Sequence, residues 1–147
     1  MKIYHATEKD IEVVVSWIDT RKDCLVWGGP SVSYPIRSKA LIEEIGFRAD
    51  NSYVYKDEEK VLAFGQVIKK TEGRKHLARI ITSPDSRGKG YGFELCNTLV
   101  SIAAESGDVI TLNVYRANRA AVALYERLGF TEDKDKSTNE NVYMVKT

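Results

Sequence analysis

Apolar residues recur along this chain at two spacings, and the switches between them mark out the elements. KIYHA, residues 2–6, reads as a short strand. In EKDIEVVVSWI, Ile11, Val14, Val15 and Ile18 recur at helical spacing. Thr7 is placed to cap that helix, and its acids sit near the positive end of the helix dipole. Asp23–Ile36, DCLVWGGPSVSYPI, is rich in glycine, proline and aromatics and predicts irregular structure. Ser38 then stands as a cap for KALIEEIGF.

Further along, SYVYK and KVLAFGQVIKK predict two strands around the polar turn DEE, and KHLARIIT predicts a third. A helix follows from about Tyr91 to Ser106, with Leu95, Leu99, Ile102 and Ala103 on one face and Gly107 as its stop. DVITLNVY alternates as a strand through Ile110, Leu112 and Val114. Asn118 can cap RAAVALYERL, which Gly129 ends, and GFTEDK and NVYMVK finish the chain as strands. Consecutive strands without intervening helices imply antiparallel hairpins. The order predicts an α/β fold of α+β-like character: a central, mostly antiparallel mixed sheet flanked by about four helices. No repeat, low-complexity segment or linker interrupts it, so residues 1–147 read as a single domain.

Composition narrows the function classes. Lys and Arg total 22 and Asp and Glu 21, a net charge of +1. That balance argues against a nucleic-acid binder, which carries a basic excess. The two cysteines, Cys24 and Cys96, are too few for a disulfide framework and read as thiols of a reducing cytoplasm. MKIYHATEKDIEVVV has charges within it and no apolar core, so it predicts no signal peptide. No apolar run reaches membrane-spanning length. No zinc-ligand spacing, paired-carboxylate motif or nucleophile elbow is present, and no metal is expected.

The most informative stretch is SPDSRGKGYGFEL, Ser83 to Leu95. Gly88, Gly90 and Gly92 alternate behind Arg87, with Lys89 between the first two, directly before a helix. Glycine lets the backbone take positive φ and approach a ligand closely. A helix start presents unpaired N–H groups and a positive dipole end. Together with two cations these features suit a phosphate. The same residues also fit a tight strand-to-helix turn with two solvated cations. A Walker A loop would need Lys-Ser/Thr after its last glycine, and Phe93 and Glu94 stand there instead. A dinucleotide fingerprint would need G-x-G-x-x-G, whereas this spacing is G-x-G-x-G.

The stretch ITSPDSRGKGYGFELCNTLVSIA resembles the coenzyme A pyrophosphate loop of the GNAT N-acetyltransferase superfamily, whose pattern is Arg/Gln-x-x-Gly-x-Gly/Ala. Arg87, Gly90 and Gly92 match it, with Gly88 as a common extra and Pro84 three residues before the arginine. NRAAVALYERLGF, Asn118 to Phe130, is similar to the family's later motif, with its Asn, Ala, Leu, Tyr, Gly and Phe in register. The two motifs and their strands cover roughly the C-terminal third to half of the chain.

The resemblance implies acetyl transfer from acetyl-coenzyme A to a primary amine, by direct attack in a ternary complex. It implies that the backbone of Arg87, Gly88, Lys89, Gly90, Tyr91 and Gly92 holds the pyrophosphate. The strand residues Ile80, Ile81 and Thr82 would bond the pantetheine arm, with an N–H near Thr82 polarising the thioester carbonyl. Asn118 would touch the same arm, a role compatible with capping its helix. Tyr125 matches the family's general acid, and its place on the face of Ala121, Leu124 and Leu128 also suits a core aromatic. Many family members carry a Glu base on the strand before the loop. Here GRKHLARIIT has none, which leaves His76 within it and Glu72 just upstream as candidate bases, with His5 and Asp85 weaker, or a water chain.

The region between the first two helices shapes the acceptor pocket in this family, and here it offers Trp27 and Tyr34 as walls for an amine. The same aromatics fit a packed loop. Glu43 and Glu44 could steer a cation or form a solvated face. Cys24 has no His near it in sequence and is not expected to act as a nucleophile. The partner expected is a small-molecule or peptide amine, with no nucleic acid and no membrane; family members often form homodimers. The missing strand Glu also motivates a second reading, a non-catalytic acyl-coenzyme A binding or sensing module. A third is a phosphate-binding module for another nucleotide.

Overall fold

The structure is a computed structural model and describes residues 2–147. In chain order the elements are β1 (Lys2–His5), α1 (Glu8–Val15), α2 (Arg21–Gly28), α3 (Ser38–Glu44), β2 (Ser52–Asp57), β3 (Lys60–Thr71), β4 (Arg74–Thr82), α4 (Tyr91–Ala104), β5 (Val109–Tyr115), α5 (Arg119–Arg127), β6 (Thr131–Glu132) and β7 (Asn141–Lys146). The strands form a seven-stranded sheet in the order β1-β2-β3-β4-β5-β7-β6. Pairing is antiparallel in β1·β2, β2·β3, β5·β7 and β6·β7 and parallel in β4·β5. The mixed, mostly antiparallel sheet is the one the sequence predicts.

Five α-helices stand among the described residues rather than four, because α2 forms where irregular structure was expected. The physical reason is local. The Thr20 side chain accepts from Asp23 N at 3.0 Å and caps the helix. Cys24 and Trp27, three residues apart, turn one face into the core. Gly28 lies so close to Val32 that an added Cβ would come within 2.6 Å of Val32 Cγ2. The Gly-Gly-Pro segment therefore ends a helix rather than extending a loop. Ser38 is the first residue of α3, not its cap; Arg37 holds the cap position and makes no side-chain cap bond. Thr7 and Asn118 cap α1 and α5 as their positions predict.

The chain divides into two compact units: residues up to Gln66 with Arg79–Cys96, and Val67–Ala78 with Asn97–Thr147. In the first unit, Ile11 and Val14 of α1, Cys24 and Trp27 of α2, Leu41 of α3, and Val54 and Phe64 of the strands share one buried cluster. Full burial of each large side chain stabilises by about 1.5–3 kcal/mol. Asp10 is buried beside this cluster. It completes a reciprocal cap with Thr7 and pairs with Lys56 Nζ at 3.1 Å.

In the second unit the register sets Leu77, Leu112 and Met144 side by side on the buried face. One residue earlier on β4 and β5, His76 lies beside Thr111, which pairs with Val145 on the opposite face. Leu99, Val100 and Ala103 of α4 and Leu128 after α5 are also buried in this unit. No helix is long and apolar enough to cross a membrane among the described residues.

Candidate active site

The first unit holds the glycine turn. After β4 the chain makes a single 3-10 turn over Pro84–Ser86, fixed by Ser83 N donating to Leu62 O at 2.9 Å and by a 2.8 Å bond between the Ser83 and Ser86 hydroxyls. Gly88 and Gly90 then take φ of 79° and 85°. A side chain at either position would be strained, and a Cβ there would meet nothing within 4 Å. The turn is thus shaped by glycine while the space over it stays open. Helix α4 begins at Tyr91, and across this junction Glu94 N donates to Gly90 O at 3.1 Å. The N–H groups of Tyr91 and Gly92 precede any intrahelical acceptor. Arg87 and Lys89 are exposed. Gly92 lies within the helix and has no positive φ, so its part differs from that of Gly88 and Gly90.

This donor set fits a pyrophosphate: open N–H groups, two cations and no side chain over the turn. Ile80, Ile81 and Thr82 are the last residues of β4 and are half-buried, Ile81 packing against the core cluster. The Tyr91 ring lies 5.7 Å from that of Tyr55, which seats the start of α4 on β2.

The candidate acceptor walls belong to this unit too. Trp27 is 8% exposed, and its indole N–H donates to the Arg79 main-chain carbonyl at 2.9 Å. The Tyr34 hydroxyl donates to Asp19 O at 2.7 Å, and the Arg21 guanidinium lies over its ring at 5.3 Å. Trp27 belongs to the core cluster and Tyr34 packs against it, and Trp27 also reaches the strand through its indole N–H. Glu43 is exposed. The Glu44 carboxylate instead accepts from both the hydroxyl and the main-chain N–H of Ser33, at 2.7 and 3.3 Å, and ties α3 to the loop. Cys24 is buried; burial first, and the Glu44 carboxylate second, push its thiol above the usual range, with Arg21 opposing. That disfavours the nucleophilic thiolate.

One residue of this site escaped the sequence reading. Arg79 takes φ of 53°, unusual for a residue with a side chain, in the middle of β4. Its NH1 donates to Gln66 Oε1 at 3.0 Å. The available signal was a charged residue inside Leu77-Ala78-Arg79-Ile80-Ile81, where period-two alternation breaks.

In the second unit, β4 pairs with β5 over Arg74–Leu77 and Val109–Leu112. His76 sits in that paired stretch. Its Nδ1 meets Thr111 Oγ1 at 2.8 Å, and its ring stacks near Tyr143 with centroids 6.5 Å apart. Glu72 stands in the turn before β4, at the opposite end of the strand from Thr82; its side chain is 98% exposed and lies 4.0 Å from Lys69 Nζ. His5 binds Ala49 O through Nδ1 at 2.7 Å, and Asp85 is exposed in the 3-10 turn.

Asn118 caps α5, its Oδ1 accepting from Ala121 N at 3.2 Å. The cap uses the oxygen of the carboxamide and leaves its two N–H donors outside that bond. Tyr125 follows two turns later, 8% exposed, its ring edge-on to Phe130 at 6.1 Å. A cavity of about 270 Å³ in this unit is walled by Arg116, Arg119 and Glu132 over Val122, Val142 and Met144, and contains none of the sequence-derived candidates.

A family model for the acetyltransferase (GNAT) family matches residues 15–130. The chain belongs to the GNAT family. Among relatives, this GNAT chain is 34% identical over 76 residues to the uncharacterized N-acetyltransferase YobR of Bacillus subtilis, a match covering 51% of this chain and 30% of that protein. The chain thus spans less than a third of that relative's length. Its fold is similar to spermidine N-acetyltransferase from Vibrio cholerae, solved with CoA and spermine, with a TM-score of 0.77 at 19% identity over 99% of this chain and 94% of that one. It is also similar to PaiA N-acetyltransferase from Thermoplasma acidophilum, solved with coenzyme A, with a TM-score of 0.76 at 16% identity over 99% and 98%. At these identities the likeness is one of fold.

Proposed function

We propose that this GNAT chain transfers an acetyl group from acetyl-coenzyme A to a primary amine by direct attack. The observation that carries the reading is the turn from Arg87 to Gly92: positive-φ glycines, open space above them, exposed cations and a helix start in one place. In this proposal the N–H groups of that turn and the Arg87 and Lys89 charges hold the pyrophosphate. The backbone of Ile80, Ile81 and Thr82 aligns the pantetheine arm, and the Asn118 carboxamide N–H groups add a contact to it. An N–H near Thr82 donates to the thioester carbonyl as negative charge develops on its oxygen.

Tyr125 donates its hydroxyl proton to the departing thiolate. A phenol of pKa about 10 gives a proton to a thiolate of ordinary pKa about 8.5 against roughly 2 kcal/mol, which is small beside a reaction barrier. The ammonium proton leaves through water. Glu72 is at the solvent end of the strand, and His76 already engages Thr111, so neither is assigned as the base. Trp27 and Tyr34 bound the acceptor. The acceptor belongs to the class of small-molecule or peptide amines, in line with the spermine held by the Vibrio cholerae enzyme.

The test is thermal unfolding with acetyl-coenzyme A, coenzyme A, ATP and NAD in parallel. A ligand at about a hundredfold over its Kd stabilises by about 2.7 kcal/mol, a rise of roughly 5–10 °C for a chain of this size. The expected result is such a rise with both coenzyme A forms and little with NAD, followed by thiol release on adding an amine. No shift with either coenzyme A form would overturn the reading.

A further inference from the structure

Arg79 is held in an arrangement that lacks a counter-charge. Its left-handed backbone, φ 53°, is strained for a residue with a Cβ. The conformation is fixed from two sides. Trp27 Nε1 holds the Arg79 carbonyl at 2.9 Å, and Gln66 Oε1 holds its NH1 at 3.0 Å. Gln66 is itself fully buried and locked: its Nε2 donates to Ile45 O and to Ser52 Oγ, both at 3.1 Å. Because Ile45 O only accepts, the amide nitrogen must face it, and the amide oxygen must face Arg79.

The guanidinium is therefore fixed by a neutral partner. Its Nε is enclosed and has no acceptor. Among the described residues it enters no ion pair. Burial pulls its pKa down, and no neighbouring carboxylate offsets the effect. An enclosed N–H and an uncompensated charge are both costly to leave unmet. The enclosed Nε is out of a ligand's reach, and what would balance the charge is an anion whose two oxygens span the two terminal nitrogens of the guanidinium, the geometry of a carboxylate. A single positive charge balances a monoanion. Arg79 immediately precedes Ile80–Thr82, and its main-chain carbonyl accepts from Trp27, the residue that the reading above sets against the acceptor.

We infer that Arg79 binds a carboxylate on the acceptor, and that the amine this protein acetylates is an amino-carboxylate. This inference rests on the acetyltransferase reading, since it concerns that reaction's second substrate.

The experiment compares α-amino acids of differing side chain with their carboxamides and aminophosphonate analogues as acceptors, using the full chain. Wild type, Arg79→Gln and Arg79→Lys are assayed for kcat/KM, with the acetyl-coenzyme A Kd measured separately by calorimetry. Wild type is expected to favour the acid over the amide by about ten- to hundredfold, the range of charge-assisted hydrogen bonds. The carboxamide has the less basic amine, so intrinsic reactivity at neutral pH favours the amide and an acid preference must come from the protein. Arg79→Gln is expected to bring the ratio near one, and Arg79→Lys, which keeps charge but loses the fork, to an intermediate value. A purely structural arginine would lower both acceptors together and leave the ratio unchanged.

A wild-type ratio near one overturns the inference, as does a ratio that survives Arg79→Gln. So does a parallel loss of acetyl-coenzyme A affinity, which would make Arg79 a coenzyme contact. Preference for the phosphonate over the carboxylate overturns the carboxylate assignment. If Arg79→Gln fails to fold, the wild-type ratio and Arg79→Lys still decide. Failure of wild type to bind acetyl-coenzyme A would instead bring down the acetyltransferase reading, a separate readout from the acceptor ratios.

Discussion

The indole N–H of Trp27 donates to the main-chain carbonyl of Arg79 across 52 residues of sequence, at 2.9 Å. This one bond ties the buried end of α2 to the irregular point of β4. Trp27→Phe keeps an aromatic side chain but shrinks the indole and leaves that carbonyl without its donor, the lost donor alone costing about 1–3 kcal/mol. The expected outcome is a lower midpoint in urea and a raised acceptor KM, with acetyl-coenzyme A affinity little changed. Equal acceptor KM in the variant would remove Trp27 from the acceptor site.

Tyr125→Phe removes a hydroxyl and keeps the ring that packs edge-on to Phe130. A lost general acid lowers turnover by about 10²- to 10⁴-fold. The expected result is that drop in kcat with the acetyl-coenzyme A Kd within about twofold of wild type, the margin left for an ordinary repacked contact. Undiminished kcat would make Tyr125 a packing residue alone.

The proton-loss step predicts a pH dependence. With water as the acceptor, kcat/KM rises with pH as the amine fraction rises, and this limb belongs to the acceptor. His76→Asn and Glu72→Gln should both retain it at the same position. Loss or displacement of the limb in either variant would assign that residue as the base.

Gly90→Ala places a Cβ at φ 85° and over the open side of the turn. The strain costs about 1–2 kcal/mol. Because the added methyl would stand where the reading puts a pyrophosphate, acetyl-coenzyme A should bind at least about tenfold more weakly, the equivalent of about 1.4 kcal/mol. Calorimetric titration against wild type checks this.

Gly28→Ala has a different consequence. Its Cβ would meet Val32 Cγ2 at 2.6 Å inside the core. Overpacking of that kind costs about 1–3 kcal/mol. The loss should appear in denaturant unfolding, and a second substitution, Val32→Ala, should recover part of it.

Much of the architecture was legible because it is written in local signals. Thr7 and Asn118 cap helices through bonds made within three residues, and strand alternation in Ile110, Leu112 and Val114 places those side chains on the buried face. The glycine turn was legible for the same reason, since positive φ and the helix start are both short-range properties. Helix α2 was not, because Gly28, Gly29 and Pro30 are loop signals whose weight exceeds that of one Thr cap. There a long-range fact decides: α2 forms by burying Cys24 and Trp27. Arg79 was illegible for a related reason. Its conformation depends on Trp27, 52 positions away, and on Gln66, 13 positions away, and neither partner can be paired with it from spacing alone.

The burial of both thiols has a practical consequence. Cys24 and Cys96 are 1% and 0% exposed, and they are the only two cysteines in the chain. Toward a maleimide the folded protein should be silent, so one cysteine introduced at exposed Lys89 becomes a unique attachment point for a dye. A fluorophore there would sit beside the turn to which the reading assigns the pyrophosphate, and a change in brightness on adding coenzyme A would report occupancy, with Arg87 and the backbone N–H groups left to hold the anion.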